Sequence, residues 1–176
     1  MLLGSEREWE MGERRKDVLV AAYLFEDLAR NDFEAVLTLA EHRTIRLESA
    51  LLVQKHGPER LRVIEAGTNG GRADGAFPPS VWLAVGLLSP TLLAQTSSAV
   101  SPDVVDAFEK YRTVRGIATA MESALPDGSG GIVTIYDSSD AGTVDLALPN
   151  AIKRTVMDID AVSATTLKNA LAQSTA

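Results

Sequence analysis

The sequence predicts an α+β fold built on an antiparallel sheet, and three observations carry that prediction. A continuous apolar run, Asp17-Val18-Leu19-Val20-Ala21-Ala22-Tyr23-Leu24-Phe25, has the length and composition of a buried central strand. Ile45, Leu47, Ser49, Leu51 and Val53 alternate with Arg46, Glu48, Ala50, Leu52 and Gln54, the period of two of a strand whose faces differ. Between them Phe33, Val36, Leu37 and Ala40 recur at helical spacing. The resulting plan is strand, helix and hairpin, then an insert, then helix, strand, helix and strand. That is the plan of a ferredoxin-like domain with helices on one face of the sheet, here spanning residues 17–175 and interrupted by an apolar insert at about 68–100.

Each element has a local reason. Residues 1–16 are polar and mixed in charge, with Trp9 and Met11 as isolated apolar points, and read as a tail. Asn31 or Asp27 can cap the first helix. His56-Gly57-Pro58-Glu59 is a turn, and Arg60 to Glu65 is the returning strand of a hairpin. Gly67 to Gly75 reads as a flexible connection. Ser101-Pro102-Asp103 opens a long amphipathic helix through Val104, Phe108, Tyr111, Ile117, Met121 and Leu125, which stops at Pro126-Asp127-Gly128. Ile132 to Tyr136 is a strand, and Ser139-Asp140 can cap a short helix over Val144 and Leu148. Arg154 to Ile159 is the last strand, and Ser163 caps a terminal helix through Leu167 and Leu171.

The unusual segment runs from Phe77 to Val100 and is almost free of charge. A membrane-spanning helix needs about 20 mostly apolar residues. Pro90 interrupts this stretch, and Gln95 to Ser98 dilute its end, so a single span is not the expected reading. A long exposed apolar segment seeks a partner instead. Phe77, Val81, Trp82, Leu83, Val85, Leu87, Leu88, Leu92 and Leu93 are therefore the candidate interaction residues, and the expected partner is a second copy of the chain.

The bulk numbers narrow the function classes. The 176 residues carry a net charge of -7, which disfavours non-specific nucleic-acid binding and adsorption to anionic membranes. Arg14, Arg15 and Lys16 form a small basic cluster, read as a solvated turn. The chain has no cysteine, so disulfides, thiolate catalysis and cysteine-ligated metals are out of reach, which fits a reducing cytoplasm. The first ten residues hold no apolar core of signal-peptide length.

Chemistry-bearing constellations are sparse. His42 falls at a helix C-terminus and His56 in a turn, and no spacing of metal-ligand type exists. Gly67-Thr68-Asn69-Gly70-Gly71 follows a strand, but Arg72-Ala73 stands where a phosphate loop needs Lys-Ser/Thr. Asp158 and Asp160 share a strand end, where they finish the strand and cap the next helix or act as an acid–base or cation-binding pair. Gly128-Ser129-Gly130-Gly131 offers backbone N–H groups to an anion or simply forms a turn. No cofactor and no metal are expected.

The chain resembles the DUF1269 family, also met as DUF6325-like proteins, which are small bacterial proteins. The resemblance rests on the strand and helix Val18 to Ala40, the strand Leu47-Glu48-Ser49-Ala50-Leu51-Leu52-Val53, the turn Leu125-Pro126-Asp127-Gly128-Ser129-Gly130 and the strand Gly131 to Tyr136. It implies a glycine-zipper-like apolar hairpin in the insert and, with it, membrane association. This sequence keeps only Gly70, Gly71, Gly75 and Gly86 there and places prolines among them.

The leading expectation is thus a non-enzymatic, cytoplasmic structural or interaction protein that self-associates through its insert. The second is a small-molecule sensor with its site at a subunit interface. The third is a peripheral membrane-associated stress protein with the insert as an interfacial helix. An enzyme comes last, because no nucleophile, base and orienting group can be assembled.

Overall fold

The computed structural model describes residues 15–57, 60–97 and 99–175. The first half comprises β1 (Arg15–Tyr23), α1 (Glu26–Glu41), β2 (Leu47–Gly57), β3 (Arg60–Thr68) and the short β4 (Gly71–Arg72). Four helices follow: α2 (Pro79–Leu88), α3 (Pro90–Thr96), α4 (Pro102–Val114) and α5 (Ile117–Ala124). The chain returns through β5 (Gly130–Asp137), a 3-10 turn at Ser138–Asp140, α6 (Ala141–Leu146), β6 (Lys153–Asp160) and α7 (Ala161–Thr175). The six strands form one antiparallel sheet in the order β4-β3-β2-β5-β1-β6. The expected α+β class with an antiparallel sheet is what the chain adopts.

The helices, however, cover both faces of the sheet. Along β1, Val18, Val20 and Ala22 enter one apolar cluster and Leu19, Ala21 and Tyr23 the other. Both sets are buried. β5 does the same, with Val133 and Ile135 on one side and Ile132 and Tyr136 on the other. A strand that is apolar in both directions cannot leave either face in water. Phe33 and Val36 of α1 and Val144 of α6 close one face. Residues of α2, α3, α4, α5 and α7 close the other.

Three further expectations are corrected by backbone detail. Ile45 and Leu47 lie in the α1 cluster, whereas Leu51 and Val53 lie in the α2 cluster, so the five do not share a face. A β-bulge causes this: Leu47 pairs with Tyr136 but Ser49 with Ile135, leaving Glu48 as the extra residue that resets the alternation. The glycine-rich stretch after Glu65 is a hairpin, not a free link: Gly67 and Thr68 belong to β3 and pair with Arg72 and Gly71. Gly71 takes φ 102°, a conformation that an L side chain rarely adopts. The long helix expected to run on to Leu125 breaks at Gly116, whose φ of 74° is the left-handed stop that ends α4 before α5 begins.

The first strand begins two residues earlier than the expected tail allows. Arg15 and Lys16 are strand residues, ion-paired to Asp158 and Glu48, and not a solvated turn. Trp9, Met11, Arg14 and the turn residues Pro58 and Glu59 lie outside the described residues. Helix α1 starts at Glu26 without a side-chain cap, so neither Asp27 nor Asn31 serves that role. Asp160, and not Ser163, caps α7 by accepting the Ser163 N–H at 2.8 Å.

Candidate interaction surface

The segment singled out by its lack of charge is the protein's own core. Val81, Leu83, Val85 and Leu87 of α2, and Leu93 of α3, are fully buried, with Leu88 and Leu92 nearly so. They pack on Leu51, Val53, Val133 and Ile135 of the sheet and on Phe108 of α4. Each such side chain contributes about 1.5–3 kcal/mol relative to exposure. The expectation of an exposed apolar surface at these residues is therefore corrected. Of the nine, only Phe77 and Trp82 are partly exposed, as a tilted aromatic pair with ring centroids 5.2 Å apart.

Local chemistry makes the burial possible. Pro79 and Pro90 start the two helices, where a missing N–H costs nothing, and Ser89 Oγ accepts the Leu92 N–H at 3.1 Å. The end of α2 carries no basic residue of its own. Arg112 of α4 supplies one, donating to Leu87 O at 2.9 Å and Leu88 O at 3.2 Å, and burial lowers its pKa from the usual value. Gly86 faces the Phe108 ring, and a Cβ there would come within 2.5–2.8 Å of three ring carbons.

The residues considered for chemistry are spent on structure. Asp160 accepts from Ser163 N and from Tyr111 Oη at 3.4 Å. Burial opposes its ionisation, but hydrogen bonds from Ser163 and the nearby Arg115 outweigh that and hold it below its ordinary value. Asp158 pairs with Arg15 at 2.7 Å instead of joining Asp160. In the Gly128–Gly131 stretch, the Gly128 N–H donates to Lys55 O and the Ser129 N–H to Pro126 O, while Gly130 and Gly131 are strand residues. His42 sits at the C-cap of α1 as expected, and His56 is an exposed residue of β2, not of a turn. Among the described residues no group of three His, Cys, Asp or Glu is placed to hold a metal ion.

Sequence reasoning missed the buried polar groups. Asp32, 3% exposed, accepts from Tyr23 Oη at 2.9 Å, from Asn150 N at 3.0 Å and from Asn150 Nδ2 at 2.8 Å. Burial and this carboxylate push the Tyr23 phenol far above its usual range. The carboxylate thus clamps the end of β1 and the loop before β6 to α1. Lys55 reaches across to Leu125 O at 2.9 Å at the end of α5. Glu48, turned out by the bulge, holds Lys16 at 3.3 Å and Lys168 of α7 at 2.9 Å. The Ser49 hydroxyl is buried without a hydrogen-bond partner among the described residues.

Apolar hollows open among the described residues. One of about 170 Å³ lies between the outer side of β3 and α2–α3, against Leu61, Val63, Phe77, Trp82 and Leu92. Another, about 470 Å³ and widely open, lies between α1 and α6, with Leu39 and the exposed Leu146 on its walls. No helix among the described residues is long and apolar enough to cross a membrane.

Among the described residues, the edges of the sheet are also open. At one side β4 is two residues long, and Arg72 is ion-paired to Glu34 and Glu65. At the other, β6 runs for eight residues beside β1 as the outermost strand, with Val156 55% exposed. Such an edge offers unpaired N–H and C=O groups to another strand.

Compared with protein-family profiles, curated proteins and solved structures, the chain matches none.

Proposed function

We propose that the chain is a non-enzymatic assembly protein with a ferredoxin-like core, which self-associates through a sheet edge and not through its apolar insert. The observation that carries this reading is the long, regular β6 edge, which no further strand flanks among the described residues, on a sheet whose faces are both closed. The strand order supports the core assignment. Without β3 and β4, strands β1, β2, β5 and β6 stand in the order β6-β1-β5-β2, joined as βαββαβ with α1 and α6 on one face. Helices α2 to α5 then form an excursion between β2 and β5 that, with α7, covers the face such a core would leave open. Kinship with the DUF1269 proteins belongs to the same proposal and rests on the β1–α1, β2 and β5 segments.

Size-exclusion chromatography with light scattering at micromolar concentration tests it. The expected mass is that of two chains; a single-chain mass across that range overturns the reading. The hollow beside Phe77 and Trp82 favours a second reading, a small-molecule sensor. A thermal-shift screen with nucleotides and amino acids checks it, and a panel without a stabiliser counts against it.

A further inference from the structure

We infer that two copies of the chain join along β6, antiparallel, about a two-fold axis at Val156, so that two six-stranded sheets become one. The inference rests on the self-association reading above and gives it a surface and a register.

The geometry of β6 is the first support. It pairs with β1 at eight consecutive positions, from Arg15 opposite Asp160 to Ala22 opposite Lys153, without a register shift. The strand is therefore regular, and its outer side bears no further strand among the described residues. The outer side of β3 is open over part of its length too, but its pairing with β2 shifts register twice, at Leu52/Val53 and at Lys55/Gly57. Bulges of that kind twist an edge away from docking, and a regular edge lacks the protection.

The sequence of β6 identifies the occupant. Lys153-Arg154-Thr155-Val156-Met157-Asp158-Ile159-Asp160 is basic at one end and acidic at the other. An antiparallel partner with the same sequence reverses that order and sets opposite charges face to face. With the axis at Val156, this valine meets its own copy, and Arg154 meets Asp158 of the second copy on the same face. Moving the axis one residue either way sets Val156 against Arg154 or against Asp158.

The charges already in place fit that register. Within one copy Arg154 pairs with Asp145 at 3.1 Å, and Arg15 pairs with Asp158 at 2.7 Å. The two pairs lie on the face of β6 that carries Val156, opposite Met157 and Ile159, which pack into the cluster under α2. Dimerisation joins them into a row of alternating sign: Asp145, Arg154, then Asp158 and Arg15 of the second copy. The symmetric second row flanks the central valine pair on its other side. Each interface is isologous, so the assembly closes at two copies and leaves no β6 edge for a third.

The absence of cysteine gives a direct test. Val156→Cys introduces a single thiol whose copy sits directly across the axis. Opposed Cα atoms in an antiparallel pair lie about 4.5–5.5 Å apart, inside the disulfide range. Mild oxidation with diamide is expected to give a covalent dimer on a non-reducing gel. Thr155→Cys, two positions out of register with its own copy, is expected to stay uncrosslinked. Val156→Lys, at an exposed position, places like charges on the axis; light scattering should read association weakened by at least about tenfold with the melting temperature kept. If wild type is a single chain at tens of micromolar, the self-association reading fails and this inference with it. If wild type is dimeric but Val156→Cys does not crosslink, or Val156→Lys stays equally dimeric, self-association stands and the β6 register is overturned. Equal crosslinking of Thr155→Cys also overturns the register.

Discussion

Asp32 shows how one residue fixes the geometry of three segments. Its carboxylate is buried yet carries three donors, from Tyr23 and Asn150, so its desolvation is compensated only while all of them hold. Asp32→Ala leaves the buried Tyr23 hydroxyl and the Asn150 amides without their acceptor, and is expected to cost about 3 kcal/mol in chemical denaturation. A loss below about 1 kcal/mol would mean that the clamp contributes little. Nothing in the local sequence announces this residue, because an aspartate in mid-helix with a helical neighbourhood reads as solvated. Its partners come from positions 9 and 118 residues away along the chain. The Glu48 bulge is hidden for the same reason: the alternation from Ile45 to Val53 is regular in sequence, and only pairing with β5 shows where it resets.

At the scale of elements, the apolar strands were legible, and the β3–β4 hairpin and the break in the long helix were not. β1 and β5 are marked by continuous apolar runs that no solvated element tolerates, and their expected positions hold to within about two residues. Gly116 was visible, but an isolated glycine in an amphipathic pattern is compatible with a continuous helix. Gly86 is the converse case, a helical glycine kept by packing. Alanine there gains about 1 kcal/mol of helix propensity but drives a Cβ into the Phe108 ring. The net expectation for Gly86→Ala is a loss of about 1–3 kcal/mol, read as a lowered melting temperature; a raised one would contradict the close approach of α2 to α4. Helix α7 is the element with a pH signature. Asp160 has a depressed pKa in the folded chain, so its stabilising effect is full above its ordinary value of 3.8 and is lost as pH falls through the lower folded value. Asp160→Asn should flatten that part of the acid limb, below about pH 4. An unchanged acid limb would show that the cap to Ser163 carries no charge-dependent stability.

Across the whole molecule, the insert is the instructive case. Its lack of charge was legible, but composition is the same for a surface awaiting a partner and for a helix pair already packed on its own sheet. The deciding signal lay elsewhere in the sequence. Valines and leucines that alternate through both faces of β1 require two covers, and α1 with α6 supplies only one. Segment 79–96 is the natural source of the second. Once it is accounted for, the contact surface we propose is β6, whose reversal from Lys153-Arg154 to Asp158 was present in the sequence but silent until the strand stood at an edge.

Both halves of that account meet in one measurement, amide hydrogen exchange of the full chain followed across dilution. The account predicts that amides of α2 stay among the slowest at every concentration, and that the outward half of the β6 amides loses protection as the chain is diluted. Protection of α2 that falls on dilution while β6 stays constant would contradict it, and would return the interface to the apolar segment.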